Sequence, residues 1–265
     1  VTPPVAWLLP VGVLGLVVGS FLNVVVHRVP AGLSIVRPGS ACPRCGHAVR
    51  ARDNVPVLSW LLLRGRCRDC AAPIPARYPL VEATTSALFV LVALRLAATG
   101  ELDLLAAFLV LAGAGVALAL IDLEHGRLPF SITGVAAVLA LLALALGWWG
   151  GDVAPLEALA SAALWLGVYG GIRVLTRGRG MGLGDVALAP LLGAVLGALG
   201  PGPSLVGLAA GFLLGGVLGM ALMATGRAGR GSRIPHGPFM LVGAAIGLFA
   251  GEGLAAAYLS LVGLG

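Results

Sequence analysis

Eight stretches of the chain, near residues 5–26, 79–98, 103–121, 131–149, 157–175, 183–200, 204–225 and 238–262, are apolar and almost free of charge. Each is near the 20 or so residues a helix needs to cross roughly 30 Å of hydrocarbon. No motif constrains the fold as strongly as this recurrence, because a lipid-exposed segment must pair its own backbone N–H and C=O groups. Composition agrees: 59% of the 265 residues are hydrophobic and only 11% are charged, and the mean hydropathy of +1.03 lies outside the range of soluble domains. The expectation is an all-α polytopic membrane protein of about eight transmembrane helices. The sixth is marginal, since residues 186–200 alone number 15 and full span length draws Asp185 inward. The first has no basic start and no clear small-residue cleavage site, so it reads as a helix and not as a signal peptide.

A net charge of +6 would suggest nucleic acid in a soluble chain. Here the placement of the charges decides. All 17 basic residues are Arg; nine lie between the first and second spans, one follows the third, three follow the fifth and three follow the seventh, leaving only Arg95 opposite. By the positive-inside rule those four loops are cytoplasmic and both termini are outside. The basic excess is thus topological, with an attraction to anionic membrane lipids. Without aromatic residues interleaved among the arginines, no nucleic-acid partner is expected.

Residues 27–78 break the apolar pattern with prolines, glycines and all four cysteines, dividing the chain into a first span (1–26), a small cytoplasmic Arg-rich insert (27–78) and a seven-helix membrane domain (79–265). The cysteines form two CxxC knuckles, Cys42 with Cys45 and Cys67 with Cys70, 21 residues apart. Two knuckles supply four thiolates and leave no open position on a tetrahedral zinc, which makes the metal structural. A segment with so small an apolar core gains its folding energy from such a site. Disulfides do not suit a reduced cytoplasm, and a redox CxxC would need a βαβ context.

Only eleven residues are acidic. Asp53 and Asp69 lie in the insert, Glu82 opens the second span, Glu101, Asp103, Asp152 and Glu157 flank external turns, and Glu252 sits in the last span. Asp122 ends the third span and Asp185 opens the sixth, so topology sets both at the cytoplasmic boundary. A carboxylate at the centre of a membrane costs about 2.5 to 3.5 kcal/mol and reads by default as functional. Two at one level can share a proton across a water, one acting as general base and the other as general acid in peptide hydrolysis. Asp185 as a helix cap and Asp122 as a helix end is the structural alternative. Neither HExxH nor a GxSG serine is present. His125, three residues beyond Asp122, shares its helix face; His27, His47 and His236 read as interfacial or structural. Gly211, Gly215 and Gly219 form a stripe suited to close helix packing.

In order along the chain stand "GSFLNVVVHRVP", "CPRC", "DNVPVLSWLLLRGRCRDC", "ARYPLVE", "IDLEHGRLP", "GMGLGDV" and "IPHGPF". With them the sequence resembles the type IV prepilin leader peptidases over nearly its whole length, and Gly182–Leu183–Gly184–Asp185 matches the GxGD signature of intramembrane aspartic proteases. The resemblance implies an enzyme of the bacterial inner or cytoplasmic membrane that removes the leader of prepilins and pseudopilins after a glycine, on the cytoplasmic side. It further implies N-methylation of the new terminus with S-adenosylmethionine as donor, Asp122 and Asp185 as the catalytic pair, and Cys42, Cys45, Cys67 and Cys70 as the loop cysteines of bifunctional members. Residues for the methyl donor cannot be named. Three positions depart from the family pattern: Phe130 stands for an Asp, Ala187 for a Lys and His236 for a Phe. His236 is the one departure that adds polarity. A peptidase without methyl transfer, an inactive homologue, and a proton-coupled transporter using the same two carboxylates are the competing readings.

Overall fold

The computed structural model describes residues 5–149, 155–226, 229 and 234–263. Asp152, Arg227, Arg230 and Arg233 lie outside these. The described residues form helices, joined by short turns except for the largely irregular insert on either side of Leu58–Leu62, with two isolated β-bridges and no strand. The helices are α1 (Leu8–Arg28), α2 (Leu58–Leu62), α3 (Arg77–Thr99), α4 (Leu105–His125), α5 (Phe130–Trp149), α6 (Pro155–Leu175), α7 (Leu183–Gly197), α8 (Pro201–Ala224) and α9 (Gly237–Leu261).

Among the described residues seven helices are long and apolar enough to cross a membrane, and α7 is not one of them. The expected span over 183–200 is corrected to 15 residues, about 22 Å of helix at 1.5 Å per residue. Its hydropathy continues through Leu199, but Gly200 adopts φ +119° and Pro201 starts the next helix. A left-handed glycine followed by proline ends a helix whatever the hydropathy.

The chain divides into two compact units, Val1–Ala97 and Ala98–Gly265. In the first, α1 lies against α3 at backbone distance: a Cβ on Gly15 would come within 2.5 Å of the Ser86 Cα, and one on Gly19 within 2.7 Å of the Glu82 Cα. Ser86 donates its hydroxyl to the Gly12 carbonyl (2.8 Å) and Asn23 its amide to the Tyr78 carbonyl (3.2 Å). Glu82, buried in the second turn of α3, accepts the Val57 N–H at 2.7 Å. That bond holds a γ-turn, closed by Leu58 N–H to Pro56 O (2.6 Å), in which β-branched Val57 sits at φ +61°. Turns of this hand at a β-branched residue are strained. Glu82 therefore pins the insert to the helix that follows it.

In the second unit small residues again set the spacing. Gly193 and Gly197 of α7 bring it onto Ser161 of α6, and Gly207 and Gly211 of α8 face Gly243 and Gly247 of α9. Close backbone approach replaces the hydrophobic drive that lipid removes. The Trp165 indole N–H donates to Ser204 Oγ at 3.0 Å, tying α6 to α8.

Candidate active site

Three helix ends meet at one end of the second unit: the C-terminus of α4 and the N-termini of α7 and α9. Asp122, three residues before the end of α4, is 4% exposed, and its Oδ2 accepts the Gly237 N–H at 3.0 Å. Its backbone carbonyl receives the N–H of left-handed Gly126, which ends α4. Asp185, the third residue of α7, accepts the Gly182 N–H on Oδ2 at 3.0 Å. Each carboxylate is thus anchored through one oxygen by a backbone amide, and the two are near enough for their charges to act on each other. Neither Oδ1 bonds across to another helix among the described residues.

Leu128 joins the two halves. A Cβ on Gly184 would fall 2.7 Å from Leu128 Cβ, and one on Gly237 would fall 3.0 Å from a Leu128 methyl and 2.8 Å from Asp122 Oδ2. The same addition at Gly182 would press on Asp185 Oδ2 at 2.7 Å. The glycines around the acids are therefore needed for space. Any side chain there pushes a carboxylate aside or parts α7 from the turn after α4.

The last turn of α6 and Thr176 just after it hold the approach to Asp185. Arg173 Nη1 donates to the Met181 carbonyl (2.9 Å) and Thr176 Oγ1 accepts the Gly180 N–H (3.0 Å). One turn earlier, buried Tyr169 is hydrogen-bonded to His236 Nε2 at 3.3 Å, in a ring cluster with Trp165, Phe212 and Phe239. Sequence reasoning missed Leu128, Tyr169, Arg173 and Thr176. Leu128 lies inside "IDLEHGRLP", but nothing in its type marks it as a bridge. His125 is exposed and does not reach Asp122, whose partner is the Gly237 amide. Phe130 is 59% exposed and Ala187 half-buried. The stripe of Gly211, Gly215 and Gly219 serves packing, lying against Phe239, His236 and Ile234.

In the first unit Cys42, Cys45, Cys67 and Cys70 gather with all four sulfurs within 4.8 Å of one another. Cys42 Sγ and Cys70 Sγ are 3.8 Å apart, the edge of a tetrahedron whose metal–sulfur bonds are about 2.3 Å. This cluster can hold a metal. The two knuckles repeat one another bond for bond: Cys42 N–H to His47 O and Gly46 N–H to Cys42 O recur as Cys67 N–H to Ala72 O and Ala71 N–H to Cys67 O. Backbone N–H groups of Cys45 and Arg44 draw the Cys42 thiol down to about 6, while desolvation and the neighbouring sulfurs push Cys45 up to about 12. Two ion pairs join the knuckle regions, Arg50 with Asp69 (2.7 Å) and Arg68 with Asp53 (2.6 Å). The Arg68 guanidinium holds the Asp53 carboxyl below its ordinary range.

Comparison with known proteins places this architecture. Residues 13–96 match the Bacterial Peptidase A24 N-terminal domain and residues 109–223 the Type IV leader peptidase family. Relatives named prepilin leader peptidase/N-methyltransferase include the following three. One from Myxococcus xanthus is 47% identical over 82% of this chain and 64% of its own length. One from Burkholderia pseudomallei is 40% identical over 90% and 84%. One from Stutzerimonas stutzeri is 34% identical over 98% and 96%. No solved structure gives a significant match. Seven apolar helices and these relatives make the protein a multi-pass bacterial membrane protein, and the chain belongs to the type IV leader peptidase family.

Proposed function

We propose that this protein is a membrane aspartic endopeptidase that cuts the leader from type IV prepilins and pseudopilins after a glycine, with Asp122 and Asp185 as its catalytic pair. The observation that carries the reading is the convergence of the two acids, each pinned through one oxygen and bridged by Leu128, at helix ends more than 60 residues apart in sequence. In the reaction one carboxylate takes a proton from water as its oxygen attacks the scissile carbonyl, and the other donates a proton to the carbonyl oxygen. Collapse of the tetrahedral species breaks the C–N bond and sends a proton to the leaving amine. The Gly182 and Gly237 amides keep the acids in place throughout, so little reorganisation is needed at the moment of reaction.

The proposal extends to N-methylation of the new terminus with S-adenosylmethionine as methyl donor, as the relatives' names imply for them. A cavity of about 410 Å³ lined by Gly100, Glu101, Asp103, Leu104 and Ala198 opens at the end of α4 remote from Asp122. It does not suit a donor acting at a cleaved terminus, and no methyl-transfer step is assigned to particular residues. Cys42, Cys45, Cys67 and Cys70 would hold a structural zinc, whose chemistry is to staple the insert. The acids and the insert would face the cytoplasm, with the arginines against anionic lipid. A proton-coupled transporter would want its carboxylates near mid-membrane. Both acids lie within about one turn of a helix end.

The test is to incubate purified protein with a prepilin, with and without S-adenosylmethionine, and read the products by mass spectrometry. Leader loss with an added methyl group is expected. Leader loss alone would retain the peptidase and remove the transferase, and an intact prepilin where another family member cleaves would overturn the reading.

A further inference from the structure

The geometry points to His236 and Tyr169 as positioning residues that hold Asp122 through the start of α9. The inference rests on Asp122 and Asp185 being the catalytic pair. Tyr169 is fully buried on α6, and its ring stacks on Phe212 at 4.9 Å and on Trp165 at 6.1 Å. In such apolar surroundings its hydroxyl needs a partner, and its one partner among the described residues is His236 Nε2 at 3.3 Å. Whichever of the two donates, the bond fixes the imidazole on α6.

His236 is also the residue from which α9 starts. Its carbonyl accepts the Phe239 and Met240 N–H groups at 3.0 and 3.2 Å, forming the first turn. The next amide, that of Gly237, donates to Asp122 Oδ2. The peptide plane that carries this N–H is therefore held on one side by the helix and on the other by the imidazole on Tyr169. Helix α8 leaves room for the arrangement. A Cβ on Gly215 would stand 3.1 Å from His236 Nδ1, and one on Gly211 would stand 3.7 Å from the Tyr169 hydroxyl. Without the imidazole anchor the first turn of α9 can rotate, and the Gly237 N–H drifts from Asp122. A loss of this kind acts on the chemical step, since it moves the amide that holds one acid and leaves the Gly182 N–H on Asp185; Tyr169 itself lies within charge range of Asp185.

The experiment measures steady-state cleavage of a prepilin by the full chain in detergent or nanodiscs, for wild type, His236→Phe, Tyr169→Phe, the double variant and His236→Gln. His236→Phe and Tyr169→Phe should each lower kcat about tenfold with KM little changed, the size expected for one broken buried hydrogen bond. The double variant should lose no more than either single one, because one interaction is removed in all three. His236→Gln, whose amide can still meet the Tyr169 hydroxyl, should recover most of kcat. Hydrogen exchange over residues 236–240 should quicken in His236→Phe and not in His236→Gln. Should one single variant fail to fold, the other carries the comparison. Wild-type kcat in both Phe variants, additive losses, or a change confined to KM would overturn the inference. If wild type itself fails to cleave, or Asp122→Asn cleaves normally, the catalytic reading fails instead.

Discussion

At the residue scale the site depends on what its glycines lack. Gly237→Ala would set a methyl 2.8 Å from Asp122 Oδ2 and close to Leu128, so cleavage should fall by about tenfold or more through misplacement of one acid. Gly184→Ala should act in the same direction by pressing on Leu128. Each is checked by initial rates at saturating prepilin, with thermal unfolding as the control. A different glycine is missing from the second knuckle. Ala71 occupies at φ +57° the place that Gly46 occupies at φ +73°. Left-handed backbone costs an alanine about 1 kcal/mol, so Ala71→Gly should stabilise the insert by up to that amount, seen as slower metal loss to a chelator. The two acids were legible in the sequence, because so few carboxylates occur in a chain this apolar. The amide that holds Asp122 was not, since Gly237 lies 115 residues away and helical periodicity does not say which helix ends meet.

At the element scale the insert hangs on two devices, the four cysteines and the bond from Glu82 to Val57. The first could be read from CxxC spacing. The second could not, because a lone acid at the start of a span looks like an interfacial residue, and the strain at Val57 exists only in the folded backbone. Glu82→Ala removes the acceptor for a strained N–H, a loss of about 1 to 3 kcal/mol. It should speed hydrogen exchange across residues 52–62 and leave α4 to α9 unchanged. Metal chelation or Cys45→Ser should loosen residues 41–73 likewise. The Arg68–Asp53 pair carries a pH sign. Because the folded carboxyl is held below its ordinary value, its stabilising share is full above about pH 4 and fades as pH falls through the depressed value. Acid loosening of the metal-free insert should therefore begin only below that point, and Asp53→Asn should abolish the step.

At the scale of the whole molecule, hydropathy gave the helical membrane architecture and drew the sixth apolar span longer than the backbone makes it. The pattern runs on where Gly200 and Pro201 stop the backbone, which leaves α7 at 15 residues. The short helix bears on the candidate site, because its N-terminal turn carries Asp185 and its Gly193 and Gly197 press the rest of it onto α6. Arg173 of the same α6, and Thr176 just after its end, tie down the loop that leads in. Asp185 is thus held from its own helix cap and from the preceding helix, as Asp122 is held from α9. The most direct measurement of the central claim compares wild type, Asp122→Asn and Asp185→Asn with one prepilin by mass spectrometry, hydrogen exchange confirming that all three share one fold. The account predicts leader loss with wild type and a fall of about 10³ or more in rate for each variant. Cleavage by either folded variant at the wild-type rate would contradict it.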